Sequence, residues 1–175
     1  MSDDFGSTLG DCDLEVSIES ENANQPEVCA LLRAGHALMD ALIPDRLRKE
    51  FSTEALLHRD VHLLVARNEG DAVGCCAIVL KEDYSEIKKM YVVPGARLKG
   101  VAKQLLVRSE QVALENGLMV MKLESASVLT TAHNFYARNG YSFRPAFGDH
   151  KEDPRSIFMK KHLKLTCAGA QSRRD

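Results

Sequence analysis

The sequence has no tryptophan, almost no net charge and no long apolar run. Its 23 lysines and arginines against 25 aspartates and glutamates give a formal charge of -2, so the chain lacks the positive field that attracts nucleic acid or an anionic membrane. No stretch resembles a membrane-spanning helix, and the first residues lack the pattern of a secretory signal. We therefore expect a cytoplasmic protein that binds neither nucleic acid nor membrane.

The cysteines and histidines lack the spacing of a metal site or a disulfide framework. The cysteines are odd in number and scattered, and we expect reduced thiols and no metal: Cys12, Cys29, Cys75, Cys76 and Cys167. Cys75 and Cys76 are adjacent on an apolar run, so they should point to opposite faces of a strand. We interpret both as packing residues rather than redox or catalytic groups. His133 is expected to be solvated.

Length and composition indicate one globular domain. Of the 175 residues, 45% are apolar and 27% charged, close to the average for a soluble protein. We place the domain at residues 14–165, between flexible tails at residues 1–13 and 166–175. Hydrophobic periodicity and turn residues predict an α/β protein with a mixed sheet, in this order: a strand at residues 14–18, helices at 26–43 and 45–57, strands at 61–66, 72–80 and 84–93, a helix at 99–115, a strand at 118–123, a helix at 128–138, and strands at 141–143 and 156–160.

The most informative segment joins the strand at residues 84–93 to the helix at residues 99–115. Amides at a helix start lack partners within the helix and carry the positive end of its dipole, so they bind phosphate when no bulky side chain blocks them. Gly100 leaves this approach open, and Arg97 and Lys99 add positive charge. Taken alone, the pattern also fits an ordinary strand-to-helix turn. The glycine motifs of dinucleotide-binding folds and of P-loop hydrolases are absent.

Two motifs in this half of the chain resemble those of a known family. The loop resembles the Q/R-x-x-G-x-G/A signature of the GNAT superfamily of N-acetyltransferases, whose amides hold the pyrophosphate of coenzyme A: Arg97-x-x-Gly100-x-Ala102. The later helix resembles the second signature of that family: Asn134-Phe135-Tyr136-x-x-x-Gly140-Tyr141. The likeness extends from about residue 61 to residue 163 and is closest to small single-domain bacterial members. It implies a mixed, mostly antiparallel central sheet flanked by helices, whose splayed central strands form the acetyl coenzyme A site.

The resemblance implies acetyl coenzyme A as the co-substrate, without a metal. The residues expected to bind it are Met90, Tyr91, Val92, Arg97, Leu98, Lys99, Gly100, Val101, Ala102, Lys103 and Asn134. The amide of Met90 or Tyr91 would donate to the thioester oxygen. Many family members carry glycine at the position of Leu98, so we expect this side chain to crowd the loop.

Acetyl transfer to an amine needs a base and an acid, because an alkylamine is mostly protonated at neutral pH and a thiolate leaves better when protonated. The resemblance places Tyr136 beside the coenzyme sulfur, as the acid. Glu86 is the candidate base, acting through water, and Glu124 is its rival. Without the resemblance, Tyr136 would be a packing residue and Glu86 a surface charge paired with Lys88.

The sequence leaves the acceptor open. We expect an N-acetyltransferase acting on a primary amine of a small molecule or amino acid, by direct attack on the thioester. The alternatives are a peptide or protein N-acetyltransferase, a non-catalytic module that senses acyl coenzyme A, and a nucleotide-binding α/β domain. Arg155, His58 and His62 could contact an acceptor carboxylate or could be ordinary surface residues. Homodimers are common in the resembled family, and the sequence does not address dimerisation.

Overall fold

The computed structural model describes residues 13–43 and 52–165. Except for Asp13, both predicted tails lie outside the described residues, as does much of the helix predicted at residues 45–57. The described part of that helix contains a short 3-10 turn, Glu54–Leu57. Within the described residues, no helix combines the length and the apolar character needed to cross a membrane.

The described residues contain a mixed, mostly antiparallel sheet, as the sequence predicts. Its strands are β1 Ser17–Ser20, β2 Val61–Asn68, β3 Asp71–Leu80, β4 Ser85–Val92, β5 Val120–Ala126, β6 Ser142–Arg144 and β7 Ser156–His162. They form one sheet in the order β1-β2-β3-β4-β5-β7-β6. Only β4 and β5 run parallel, whereas the other neighbouring pairs are antiparallel.

Helices cover both faces of this sheet. Their bounds are α1 Pro26–Leu42, α2 Val101–Glu115 and α3 Thr130–Arg138. Helix α1 begins at Pro26, whose fixed φ suits the first position of a helix. Helix α2 packs on one face in a core that includes Leu105 and Tyr136, and α1 packs on the other face through Val28 and Leu31. We call these the α2 face and the α1 face.

Adjacent residues of β3 contribute to opposite faces. Cys76 belongs to the core of the α2 face and Cys75 to the core of the α1 face. Both are fully buried, and burial raises the pKa of each thiol to about 12. Such thiols are poor nucleophiles at neutral pH because they hold their proton. The interpretation of both cysteines as packing residues is confirmed.

Strands β4 and β5 separate after a short paired segment, which confirms the expected splay. The paired residues are Ser85 with Met121, Glu86 with Lys122, and Ile87 with Leu123. Beyond them β5 continues along β7, while β4 continues along β3. There β4 contains a bulge with one residue more than β3, and Lys89 within it has a φ of 54°. The result is a gap between the ends of β4 and β5.

The prediction for the first strand is wrong by several residues. It begins at Ser17 rather than residue 14, because Leu14 bonds to the segment before α2 and to α2 itself. The amide of Leu14 donates to the carbonyl of Lys99 at 2.9 Å, and its carbonyl accepts from Nε2 of Gln104 at 2.9 Å. The residues before β1 are therefore attached to the loop between β4 and α2.

Candidate active site

The loop between β4 and α2 leads to a helix start without a side-chain cap. Helix α2 begins at Val101, two residues later than predicted, because Leu98 and Gly100 have φ values of 60° and 73°, outside the right-handed helical region. The amide of Gln104 donates to the carbonyl of Gly100 at 3.0 Å, so the amides before Gln104 lack partners within the helix. An anion beside them would be stabilised by these amides and by the helix dipole.

Gly100 is in contact with a carboxylate. A Cβ built on Gly100 would lie 2.5 Å from Oδ1 and 2.7 Å from Cγ of Asp13. Glycine suits this position both because of its positive φ and because of the available space. The Asp13 carboxylate therefore lies beside the start of α2.

The Leu98 side chain is fully exposed, at 100% of its accessible surface, so it does not pack against the rest of the protein. Its effect on the bound coenzyme stays a prediction. Its φ of 60° nevertheless lies in the left-handed region, which is unfavourable for leucine. Lys99 and Lys103 are also exposed, whereas Val101 is buried in the core of the α2 face and Ala102 is half-buried.

The end of β4 carries three predicted cofactor-binding residues beyond the last β4–β5 pair, and Arg97 is directed back to them. Its Nε donates to the carbonyl of Val92 at 3.0 Å, and its guanidinium carbon lies 5.7 Å from the centre of the Tyr91 ring. Met90, the first of the three, is half-buried. Asn134 is exposed on α3.

Glu86 is a buried carboxylate on the α1 face of β4, not a surface charge. It is 3% exposed, and the adjacent Ile87 belongs to the core of the α2 face. Because it precedes the last β4–β5 pair, it lies at the closed end of the gap. Nζ of Lys88 is 3.3 Å from Oε1 of Glu86.

His150, which the sequence analysis does not identify, connects the two candidate bases. Its Nε2 lies 2.8 Å from Oε1 of Glu86, and its Nδ1 lies 3.2 Å from Oε2 of Glu124. It lies in the connection between β6 and β7, where neither of the two family motifs falls, so no sequence signal identifies it.

Tyr136 approaches β4 from the α2 face. It is 7% exposed, and its hydroxyl donates to Sδ of Met90 at 3.4 Å. Burial, with a smaller contribution from nearby Cys76, raises the pKa of Tyr136 above its ordinary value of 10. The hydroxyl therefore stays protonated at neutral pH and can donate near the gap.

His133 differs from its prediction. It is 9% exposed rather than solvated, and its Nε2 lies 3.0 Å from the carbonyl oxygen of Ala126. This contact attaches α3 to the end of β5. Within residues 13–43 and 52–165, no group of three or more His, Cys, Asp or Glu side chains is arranged to hold a metal ion.

The residues considered for acceptor binding have acidic neighbours or lie within the sheet. Nη2 of Arg155 lies 2.7 Å from Oδ2 of Asp153, and this arginine lowers the pKa of that carboxyl to about 2. Nδ1 of His58 lies 3.3 Å from Oδ2 of Asp60. His62 is half-buried on β2.

Known proteins match this chain in sequence. The family model described as an acetyltransferase (GNAT) domain matches residues 59–143. IAA acetyltransferase of Azospirillum brasilense is 33% identical over 150 residues, which cover 85% of this chain and 98% of that protein. Aminoalkylphosphonate N-acetyltransferase of Salmonella typhimurium is 29% identical over 115 residues, covering 58% of this chain and 75% of that protein.

Solved structures match the fold. One assigned as an acyl-CoA N-acyltransferase from Klebsiella pneumoniae has a TM-score of 0.72 and 30% identity, covering 87% of this chain and 100% of that chain. PaiA N-acetyltransferase from Thermoplasma acidophilum has a TM-score of 0.68 and 17% identity, covering 85% of this chain and 99% of that chain. The Azospirillum relative spans most of the sequence, and the family model includes both motifs. The chain therefore belongs to the GNAT family of N-acetyltransferases.

Proposed function

We propose that the chain transfers the acetyl group of acetyl coenzyme A directly to a primary amine of a small molecule or amino acid. One observation carries this proposal: the gap between β4 and β5 has a buried carboxylate, Glu86, on one side and a buried protonated hydroxyl, Tyr136, on the other. These are the two proton-transfer groups that amide formation from an ammonium and a thioester requires.

The start of α2 fits the anionic part of the coenzyme. Its uncapped amides would hold the diphosphate within residues 98–103. We assign the acyl end to the backbone of β4 at residues 90–92, with Arg97 fixing the end of this strand and Asn134 contributing from α3. When bound, acetyl coenzyme A supplies an acetyl thioester.

Each proton-transfer group has a defined task in this proposal. Glu86 accepts a proton from the acceptor ammonium, directly or through one water, which frees the nitrogen lone pair for attack. Tyr136 donates its hydroxyl proton to the departing sulfur as the C–S bond breaks, and it regains a proton from the attacking nitrogen, which loses its second proton as the amide forms. Its contact with Sδ of Met90 at 3.4 Å supports this task, because it directs the hydroxyl at β4.

A small-molecule acceptor is supported by one relative. It is described as an aminoalkylphosphonate N-acetyltransferase, which names a small amine as its acceptor. We therefore place small amines, amino acids and an aminoalkylphosphonate first in an acceptor panel, with peptides as the competing class.

Release of coenzyme A across this panel tests the proposal. Tyr136→Phe should lower kcat by roughly 100-fold or more, since general acid catalysis contributes about 10² to 10⁴ in rate. Tyr141→Phe is the matched control, because its ring packs 5.5 Å from that of Tyr136 while its hydroxyl bonds to Glu110. This control should turn over like the unchanged enzyme.

Other outcomes would replace the proposal. Thermal stabilisation by acetyl coenzyme A without turnover of any amine or peptide would indicate a sensing module. Stabilisation by ATP or NAD but not by coenzyme A would indicate a nucleotide-binding domain. Turnover of peptides alone would move the acceptor to the protein class.

A further inference from the structure

His150 bridges two acidic residues of neighbouring strands. Its Nε2 lies 2.8 Å from Oε1 of Glu86 on β4, and its Nδ1 lies 3.2 Å from Oε2 of Glu124 on β5. The imidazole packs against Phe147 and Phe158, with ring centroids 4.8 Å and 5.7 Å away. The contacts of both nitrogens and of the ring restrict its orientation.

The bridge has more acceptors than a neutral imidazole can serve. A neutral ring carries one N–H donor and one lone pair, and an ionised carboxylate only accepts. Between two ionised carboxylates, a neutral ring would therefore direct one nitrogen lone pair at an oxygen lone pair. An imidazolium donates from both nitrogens, and both of its hydrogen bonds are charge-assisted.

The surrounding charges suit an imidazolium. Nζ of Lys88 lies 3.3 Å from Oε1 of Glu86, and the Ser156 hydroxyl donates to Oε1 of Glu124 at 2.6 Å. The formal charges of the two carboxylates, the ammonium and the imidazolium sum to zero. The side chains are 4% exposed at Glu86, 20% at His150 and 39% at Glu124. Glu86 is therefore the most buried of the three, and its carboxylate has both the ammonium and the imidazolium as neighbours.

Further titratable groups act on the buried end of the bridge. The Tyr84 hydroxyl and the Lys122 ammonium both interact electrostatically with Glu86. Desolvation raises the pKa of Tyr84 and lowers that of Lys122. Nζ of Lys122 lies 3.6 Å from the centre of the Tyr84 ring, so this cation is held by an aromatic face.

We propose that His150 is an imidazolium that positions Glu86 as the base of the acetyl transfer, while Glu124 orients the imidazolium. His150 and Lys88 both contact Oε1 of Glu86, and we assign Oε2 to the acceptor. At Oε2 an O–H bond forms as the N–H bond of the ammonium breaks, and the amine retains the electron pair. His150 is thus a positioning residue that acts through Glu86. This inference rests on the proposed function and gives the two candidate bases different roles.

The first test reads the protonation of His150 directly. Two-bond ¹H–¹⁵N correlation spectra of histidine-labelled protein at about pH 7 should show one histidine with both ring nitrogens protonated. Its signals should disappear in His150→Gln and change in Glu124→Gln. A neutral single tautomer for His150 would overturn the proposal, whether or not any acceptor has been found.

The second test separates positioning from binding and folding. His150→Phe keeps an aromatic ring in contact with Phe147 and Phe158 but removes both N–H donors. It should lower kcat about 10- to 100-fold, less than the full contribution of a general base, and leave KM for acetyl coenzyme A within about twofold. His150→Gln retains an N–H donor and should recover part of kcat. The matched control is His162→Phe, at the far exposed end of β7, which should retain the activity of the unchanged enzyme.

Coupling between the residues gives the decisive comparison. Glu124→Gln should lower kcat less than His150→Phe, and the double variant should be no slower than His150→Phe, because the two residues act in series. Fully additive losses, or unchanged kcat in folded His150→Phe and His150→Gln, would overturn the inference. In contrast, absence of turnover by the unchanged enzyme with every acceptor would contradict the proposed function, while the spectra would still decide whether His150 is an imidazolium.

Discussion

Replacing Gly100 by alanine should destabilise the fold modestly and weaken binding of acetyl coenzyme A strongly. The φ of Gly100 is 73°, and a left-handed conformation costs an L-residue about 1 to 2 kcal/mol. Alanine recovers about 0.4 to 1 kcal/mol through the lower entropy of its unfolded chain. The 2.5 Å approach to Oδ1 of Asp13 adds little, because a terminal carboxylate can rotate away. The net loss is about 1 kcal/mol, or about 3 °C in Tm for a domain of this size.

Gly70→Ala is the matched control for this change. Gly70 also has a positive φ, 96°, but a Cβ there would meet no atom within 4 Å. It lies in the turn between β2 and β3. Calorimetric denaturation should therefore show a similar loss of stability for Gly70→Ala and Gly100→Ala. Titration with acetyl coenzyme A should show roughly tenfold or greater weakening for Gly100→Ala alone, because only its Cβ lies beside the amides at the start of α2.

Two results would refute this reasoning. If Gly100→Ala bound acetyl coenzyme A as tightly as the unchanged protein, the start of α2 would not be the diphosphate site. If neither variant lost stability, the argument from positive φ would be wrong. Asp13→Ala combined with Gly100→Ala separates the contact from the backbone conformation: the cost of Gly100→Ala should change by less than about 0.5 kcal/mol in that background.

Three further changes test other parts of the structure. Leu98→Gly removes an exposed side chain from a left-handed conformation, so scanning calorimetry should show a gain of about 0.5 kcal/mol; a loss would contradict the strain. Cys75 and Cys76 should resist iodoacetamide in the native protein and react in urea, as peptide mass spectrometry would show, because burial raises both thiol pKa values to about 12. Arg67 lowers the pKa of Glu21 below 4.5, so their ion pair stabilises the fold fully above about pH 4.5 and less as pH falls below it. Urea midpoints of Glu21→Gln should accordingly decline less on acidification than those of the unchanged protein.

The sequence predicts the features that depend on local pattern. Alternation along β3 assigns Cys75 and Cys76 to opposite faces, and the structure confirms it. The stop at Pro94 and the apolar spacing after Gly100 predict the loop and α2, apart from a start two residues too early. That error arises from the positive φ of Leu98, because leucine carries no sequence signal for a left-handed conformation.

Contacts between separate elements of the fold explain what the local sequence pattern does not predict. His150 meets Glu86 across 64 residues, so neither the burial of the carboxylate nor its imidazole partner is visible in local pattern. The first strand is displaced because Gln104 binds the carbonyl of Leu14 across 90 residues. His133 has the appearance of a surface histidine on a helix, yet the carbonyl of Ala126 provides a partner for its ring nitrogen. In each case the partner, rather than the residue type, decides the position.

The bulge in β4 determines which groups meet at the gap. Side chains alternate between faces along a strand, so without an extra residue Met90 would share the α1 face with Glu86. The additional residue at Lys89 reverses this alternation: Met90 packs with the core of the α2 face, and Tyr91 packs with the core of the α1 face. Met90 is consequently available to the Tyr136 hydroxyl from the face opposite Glu86. A single inserted residue thus turns Met90 toward the candidate acid, on the side of β4 opposite the candidate base.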